Sequence, residues 1–478
     1  MTRNNEAASP MGAGQIYSHA ERMRVVTGIV MCILLAALDQ TVVLPAIPQM
    51  AASLHGAGHL SWVVSAYLLT TTATTPIYGK LSDQLGRRAV LVPAIILFLL
   101  SCVLCALSTS IPMLIAARGL QGIGGGALLA VSQAAVGDVI PPRERGKYQA
   151  WFAGTWAFAS VAGPIAGGLV TQHLSWRWIF WGNLPLGLIA LVFCVRGLAG
   201  LVPAGLRSKI DYTGAVLMIV SVTAILLGLS TGGVDFPWAS ASEAGIFAAG
   251  IVAFAVLFYQ QRHAAAPLFP GALLGRRAYR QILEISFFNS ASMFGAIFLL
   301  PLMLQWLYHQ SPASSGLNIV PFLAATTIGA FIAGQATRRT GRFRAVMVTG
   351  VVMAAAGFVL LGLAPQAGML AYPLCVSAVF GLGIGFVMPS SLVAAQSHAG
   401  PRDLGVATGT LLLMRAMGGA FGATMADAFL AIAHQNLAYG FRLGFLACAA
   451  LELAGVVVAL RMEDIQLRQT LETAPAAH

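Results

Sequence analysis

The chain has 478 residues, of which 58% are hydrophobic and only 9% charged, and its mean hydropathy is +0.80. A soluble protein of this length carries roughly 25% charged residues, so a water-soluble globular chain is excluded. The net charge of +11 would suit a nucleic-acid binder, but its distribution along the chain excludes that class as well.

Stretches of mostly apolar residues recur from Val25 to Leu460. Each is long enough to cross the roughly 30 Å hydrocarbon layer as a helix. Lipid offers the backbone no hydrogen bonds, so the chain must form a helical bundle; it does not read as the alternating strands of a β-barrel. Fourteen spans are predicted, at 25–47, 60–79, 89–107, 112–138, 148–171, 178–197, 211–230, 244–260, 281–306, 314–337, 344–363, 370–393, 404–428 and 441–460. Arg22 and Arg24 precede the first span, which is too long for the apolar core of a signal peptide and lacks a clean cleavage site, so no cleavable signal is expected.

Span one carries Asp39, about 14 residues and so roughly 21 Å from its start. The turn after span two reads Gly79-Lys80-Leu81-Ser82-Asp83-Gln84-Leu85-Gly86-Arg87-Arg88. Cys102 and Cys105 lie one helical turn apart in span three and, like Cys32, Cys194, Cys375 and Cys448, read as small apolar residues. Span four carries Arg118 at a depth matching Asp39, in a small and polar stripe with Gln121, Gly122, Gly125, Leu129 and Ser132, and ends at Asp138. Span five is rich in glycine, with Gly154, Gly163, Gly167 and Gly168 for close helix packing and Pro164 for a bend.

Glu284 opens span nine, and Asp427 lies near the far end of span thirteen. Arg415 in span thirteen and Glu452 in span fourteen each sit about eleven residues into helices joined as a hairpin, which suggests a structural ion pair. Asp39, Glu284, Asp427 and Glu452 are the carboxylates within or at the ends of spans, where ionisable groups are expensive and usually functional. His55, His59, His173, His309 and His434 fall in loops without metal spacing. Trp62, Phe294, Phe298, Trp306 and Phe322 are candidates to line an apolar pocket.

Of the 27 Lys and Arg residues, 23 lie in the tails, in the loops after even-numbered spans, or at the span edges that border those loops. Arg177 and Arg442 alone occupy the opposite loops, and Arg118 and Arg415 lie inside spans. This positive-inside bias puts both termini in the cytoplasm. The turn after span ten, Gly334-Gln335-Ala336-Thr337-Arg338-Arg339-Thr340-Gly341-Arg342-Phe343-Arg344, repeats the glycine, charge and Gly-Arg spacing of the first, which indicates two parallel six-helix repeats. The expected plan is a tail at 1–24, a bundle at 25–200, an inserted hairpin at 201–265, a second bundle at 266–460 and a tail at 461–478.

These residues resemble the signature loop of the major facilitator superfamily. Leu38-Asp39-Gln40-Thr41-Val42-Val43 is similar to the first-helix motif of its fourteen-helix drug:proton antiporters, although Leu44 and Pro45 stand where Asn and a β-branched residue are usual. Arg118-Gly119-Leu120-Gln121-Gly122 with Gly124, Gly125 and Gly126 resembles the span-four motif. The run from Gly154 to Gly163-Pro164-Ile165-Ala166-Gly167-Gly168 resembles the antiporter motif of span five. Trp176-Arg177-Trp178-Ile179-Phe180 with Asn183, Pro185 and Gly187 resembles the entry to span six, and Ile210-Asp211-Tyr212-Thr213-Gly214 and Pro267-Leu268-Phe269 resemble the edges of the inserted hairpin.

The resemblance implies an all-α membrane protein of the major facilitator fold. It is expected to export amphipathic, often cationic drugs by proton antiport and to reside in a bacterial inner membrane. Asp39 would be the proton-coupling carboxylate, modulated by Arg118; a fixed pair joining two helices is the alternative. Gly79, Asp83, Gly86, Arg87, Arg88 and Asp138 would form a latch at the cytoplasmic face, where Asp83 could meet a helix N-terminus of the other half; a solvated surface cluster is the alternative. The span-five glycines would control a seal between halves, and Glu284 is a candidate secondary acid.

No cofactor or metal is expected, the proton gradient being the energy source. Partners are a small-molecule substrate, protons and lipid, with no nucleic acid; the chain is expected to be a monomer, with a periplasmic adaptor protein as a candidate associate. Export of one metabolite or siderophore is the competing reading. A membrane enzyme would need a cluster of catalytic groups at one depth, and a P-loop ATPase a Gly-x-x-x-x-Gly-Lys-Ser/Thr run; the sequence offers neither.

Overall fold

The structure is a computed structural model and describes residues 19–54, 61–198, 211–231, 237, 240–264, 267–269, 271–310, 312–363, 368–399, 403–432 and 436–463. Most of both expected tails, and His55, His59 and His434, lie outside the described residues. The first half contains α1 (His19–Val42), the short α2 (Ile47–Ser53), α3 (Ser61–Leu85), α4 (Arg87–Ala106), α5 (Ile111–Val139), α6 (Pro142–His173) and α7 (Arg177–Gly197). Helices α8 (Tyr212–Thr231) and α9 (Ala241–His263) form the inserted hairpin. After the short α10 (Gly271–Leu274), the second half contains α11 (Arg277–Trp306), the short α12 (Pro312–Leu317), α13 (Val320–Thr340), α14 (Arg344–Leu363), α15 (Ala371–His398), α16 (Leu404–Ile432) and α17 (Leu437–Leu460).

Thirteen helices among the described residues are long and apolar enough to cross a membrane. The one predicted span not among them is span two, α3, which has 25 residues but is diluted by threonines. Thr70, Thr71, Thr74 and Thr75 hide this polarity by donating to backbone carbonyls of α3 itself or, for Thr71, to Gly122 of α5. A hydroxyl already satisfied by a carbonyl is tolerated at membrane depth.

Two predicted boundaries need correction. The turn at 79–88 is helical up to Leu85, because Lys80, Leu81, Gln84 and Leu85 are good helix formers; the break falls on Gly86, whose φ of 94° suits a residue without a side chain. Its counterpart in the second half is also helical, up to Thr340, and turns on Gly341 at φ 68°. Span one does not run to 47. Helix α1 stops at Val42, a 3-10 turn spans Leu44–Ala46, and α2 follows, since Pro45 cannot donate a helical hydrogen bond.

The principal packing partners recur in the two halves. In the first, α3 packs on α5, α4 on α5 and α7, and α1 on α6 and α7. In the second, α13 packs on α15, α14 on α15 and α17, and α11 on α16 and α17. The halves meet along α6 with α13 and α3 with α16. The hairpin lies against α3 and α16, sharing with them an apolar cluster that includes Leu69, Ala73, Met218, Val222 and Leu413. Thr424 of α16 donates to the carbonyl of Leu229 at 2.8 Å. At the other end of the hairpin, Asp211 accepts from the Gly214 amide and from the side chains of Gln260 and Gln261.

Candidate functional site

The end of the bundle that carries Arg87 at the start of α4 and Arg344 at the start of α14 is called the basic end. Asp39 is in the last turn of α1, toward the opposite end, and is fully buried. Arg118, 1% exposed, lies in the third turn of α5 and places Nη1 2.7 Å from Asp39 Oδ2. One turn further along α5, Gln121 donates Nε2 to Oδ1 at 2.9 Å. Asn183 of α7 donates Nδ2 to the same oxygen at 2.7 Å. Arg118 also donates from Nη1 to the Gln121 side-chain oxygen at 2.7 Å and from Nε to the Val63 carbonyl at 3.2 Å. Its guanidinium lies 4.4 Å from the Tyr67 ring centre.

The small residues of α5 explain how this closes. A Cβ on Gly125 would stand 2.7 Å from the Tyr67 hydroxyl, so glycine lets α3 bring its tyrosine up to the arginine. Three helices thus converge on one carboxylate, with its charge matched by a single arginine and its oxygens filled by three donors. Protonation would remove that charge and turn one acceptor into a donor, so the set could not persist unchanged. Sequence reasoning placed Asp39, Arg118 and Gln121 but gave Asn183 and Tyr67 no part here. The available signal for Asn183 was a carboxamide in an otherwise apolar stretch. The cysteines are all free; Cys102 and Cys105 flank Gln121, Cys102 Sγ accepting from it at 3.0 Å.

A second cluster occupies the basic end. Arg87 pairs with Asp83 at 2.7 Å and with Asp138 at 2.7 Å. Asp83 also accepts the backbone N–H groups of Gly405, at 2.8 Å, and Val406, at 2.9 Å. These open α16 of the other half, where the helix dipole favours a negative charge. Gly79 lies against the backbone of Gly405, and a side chain on either would collide. Arg88 is exposed and takes no part in these ion pairs.

Two further contacts complete the closure there. Gln396 of α15 donates to the carbonyl of Gln133 of α5 and to Thr408 of α16, both at 3.1 Å. Gly146 of α6 abuts Gly334 of α13, a Cβ on the former falling 2.7 Å from the latter's Cα. Neither Gly146, Gln133 nor Gln396 was singled out from the sequence. Gly146 falls just before the predicted start of span five.

Several expectations are corrected. Of the span-five residues, Gly163 and Gly167 approach Thr41 and Val42 of α1, within their own half, whereas Gly154 and Gly168 have nothing nearby and Pro164 is exposed. The close glycine approach between α6 and the second half is made by Gly146 instead. Arg415 and Glu452 do not pair. Arg415 turns toward α15, donating to the Met388 carbonyl and to Ser391 Oγ. Glu452 is buried on the side of α17 that meets α11, near Ser292 and Gly455. Equal counts from the starts of their spans did not bring the two to one face. Glu284 and Asp427 are exposed. Phe322 is buried against Phe380, while Phe294 and Trp306 are exposed. Among the described residues no group of His, Cys, Asp or Glu could hold a metal ion.

Residues 29–423 match the family model of the Major Facilitator Superfamily. The chain is 36% identical over 418 residues to the multidrug transporter protein MdtP of Bacillus subtilis, covering 87% of this chain and 77% of that one. It is 30% identical over 401 residues to multidrug resistance protein 3 of the same organism, covering 84% and 78%. The solved structure of the proton:xylose symporter XylE superposes with a TM-score of 0.68 at 14% identity, covering 95% of this chain and 98% of that one.

Proposed function

The chain belongs to the major facilitator superfamily, and we propose that it is a proton-coupled antiporter that exports amphipathic compounds across a bacterial inner membrane by alternating access. The observation that carries this reading is Asp39. It is an acid buried among apolar helices, bound by α5 and α7 at once, and therefore able to transmit a protonation event to two helices. The multidrug transporters among its relatives support the substrate class.

The arginine asymmetry supports a cytoplasmic basic end. The contacts of Asp83, Gln396 and Gly146 then close the cytoplasmic side, which fits an outward-facing state. In that state a proton arriving from outside would neutralise Asp39, release Arg118, Gln121 and Asn183, and loosen α1 from α5 and α7. The conformation that follows would open to the cytoplasm, lose the proton there and load substrate for the return. A ligand-driven switch requires different affinities in the two states, and the two occupancies of Asp39 provide them.

The test is purified protein in liposomes with an imposed pH gradient and a panel of cationic, neutral and anionic dyes. Gradient-driven uphill movement of at least one dye is expected, with Asp39→Asn abolishing it while downhill exchange persists. Undiminished gradient-driven transport by Asp39→Asn would overturn the coupling role. Movement of no dye would favour the single-metabolite reading.

A further inference from the structure

We propose that Arg415 is a binding site for the anionic end of the transported compound, so that the exporter accepts amphipaths bearing a carboxylate or sulfonate. The inference rests on the transport reading above and adds the charge of its substrate.

The position of Arg415 follows from helix geometry. It lies seven residues, two turns, after Thr408 on α16, and so on the same face about 10 Å farther from the basic end. Thr408 is the residue that meets Gln396 where the latter bonds across to Gln133 of the other half. Gly405 and Gly409 of α16 face α3 instead, at Gly79 and Pro76. Arg415 therefore lies on the face of α16 that meets α15, two turns beyond the contact that crosses between the halves, and it is partly exposed.

Its hydrogen bonding is incomplete in a specific way. Both of its contacts leave from Nη2 and go to neutral acceptors, the Met388 carbonyl and Ser391 Oγ. Nη1 and Nε, with three N–H donors between them, have no acceptor among the described residues. No described carboxylate stands within ion-pair distance. Arg87 and Arg118, by contrast, are paired with acids, while Arg145 at the basic end is, like Arg415, held by neutral acceptors alone, the carbonyls of Gly137 and Ile140.

Polar groups on the two helices beside α16 are also under-satisfied. Ser286 and Asn289 on α11 and Ser390 on α15 are buried with polar atoms that lack a hydrogen-bond partner in the described structure. Gly418 of α16 abuts Phe287 of α11, which sets Ser286 close to the level of Arg415. An unmatched cation and unspent hydroxyl and amide groups on three neighbouring helices form a site for an oxyanion, which a guanidinium binds through paired N–H bonds. Asp39, the acid that could attract a cationic compound, is fully buried and already holds Arg118, Gln121 and Asn183.

The experiment compares two fluorescent probes of nearly the same shape, anilinonaphthalene sulfonate and the uncharged phenylnaphthylamine. Each is titrated against the protein in lipid nanodiscs at neutral pH, with empty nanodiscs subtracted. Saturable binding of the sulfonate is expected, weakened about tenfold or more in Arg415→Gln, as for one lost charge-assisted contact. Phenylnaphthylamine affinity should stay within about twofold, which also reports an intact fold, and Arg415→Lys should recover part of the sulfonate affinity. Equal weakening of both probes, no change in either, or no saturable sulfonate binding to the wild type would each overturn the proposal. No pH gradient is used, so a failure here is separable from a failure of proton coupling.

Discussion

At the scale of single residues, the Asp39 site shows how a membrane protein keeps a charge in an apolar interior. The carboxylate is compensated by Arg118, and both oxygens are filled by Arg118, Gln121 and Asn183. A hydrogen bond to a charged group contributes about 1.5–3 kcal/mol. Asn183→Leu removes one and leaves Asp39 Oδ1 with Gln121 alone. We expect the initial rate of gradient-driven transport to fall about tenfold while the amount of protein in the membrane is unchanged, as read by proteoliposome flux normalised to protein. Asn183 was visible in the sequence as a polar residue in an apolar stretch, but its partner was not, because α7 reaches α1 only through the tertiary fold.

At the scale of elements, what matters is which faces of helices can approach. Backbone contact at Gly79 with Gly405 and at Gly146 with Gly334 brings α3 to α16 and α6 to α13. The predicted glycine motif of span five was assigned to this junction, yet Gly163 and Gly167 serve α1. Periodicity shows which residues share a face but not which neighbour that face meets. Gly146→Leu would set a Cβ and more against Gly334, so the basic end could not close. We expect this variant to lose transport while still binding phenylnaphthylamine, measured by flux and by fluorescence on the same preparation. Intact flux would show that the approach of α6 and α13 is dispensable.

At the scale of the whole molecule, two six-helix units with matching internal packing meet at the basic end, with the hairpin α8–α9 set against α3 and α16. The hydrogen bonds from Gly405 and Val406 to Asp83, and from Gln396 to Gln133, cross between the units at that end. This arrangement predicts unequal access from the opposite side. In a Cys375→Ser background, which removes the one exposed native cysteine, a charged membrane-impermeant thiol reagent added from the side opposite the basic end should label Arg415→Cys. It should leave Gln396→Cys, at a fully buried position, unmodified, with the mass of the intact protein as the readout. Equal labelling of both would contradict the closure.

The sequence by itself determined the membrane class, the helical bundle and the duplicated plan, because lipid demands long apolar helices and the two Gly-Arg turns match. It also determined that Asp39 and Arg118 share a depth, since rise per residue is fixed. It did not determine azimuth. Counting residues gives Arg415 and Glu452 a similar depth, as it does Asp39 and Arg118, yet one pair bonds and the other turns to different helices. Only the tertiary structure decided that, because helix rotation is set by the packing of all neighbours at once.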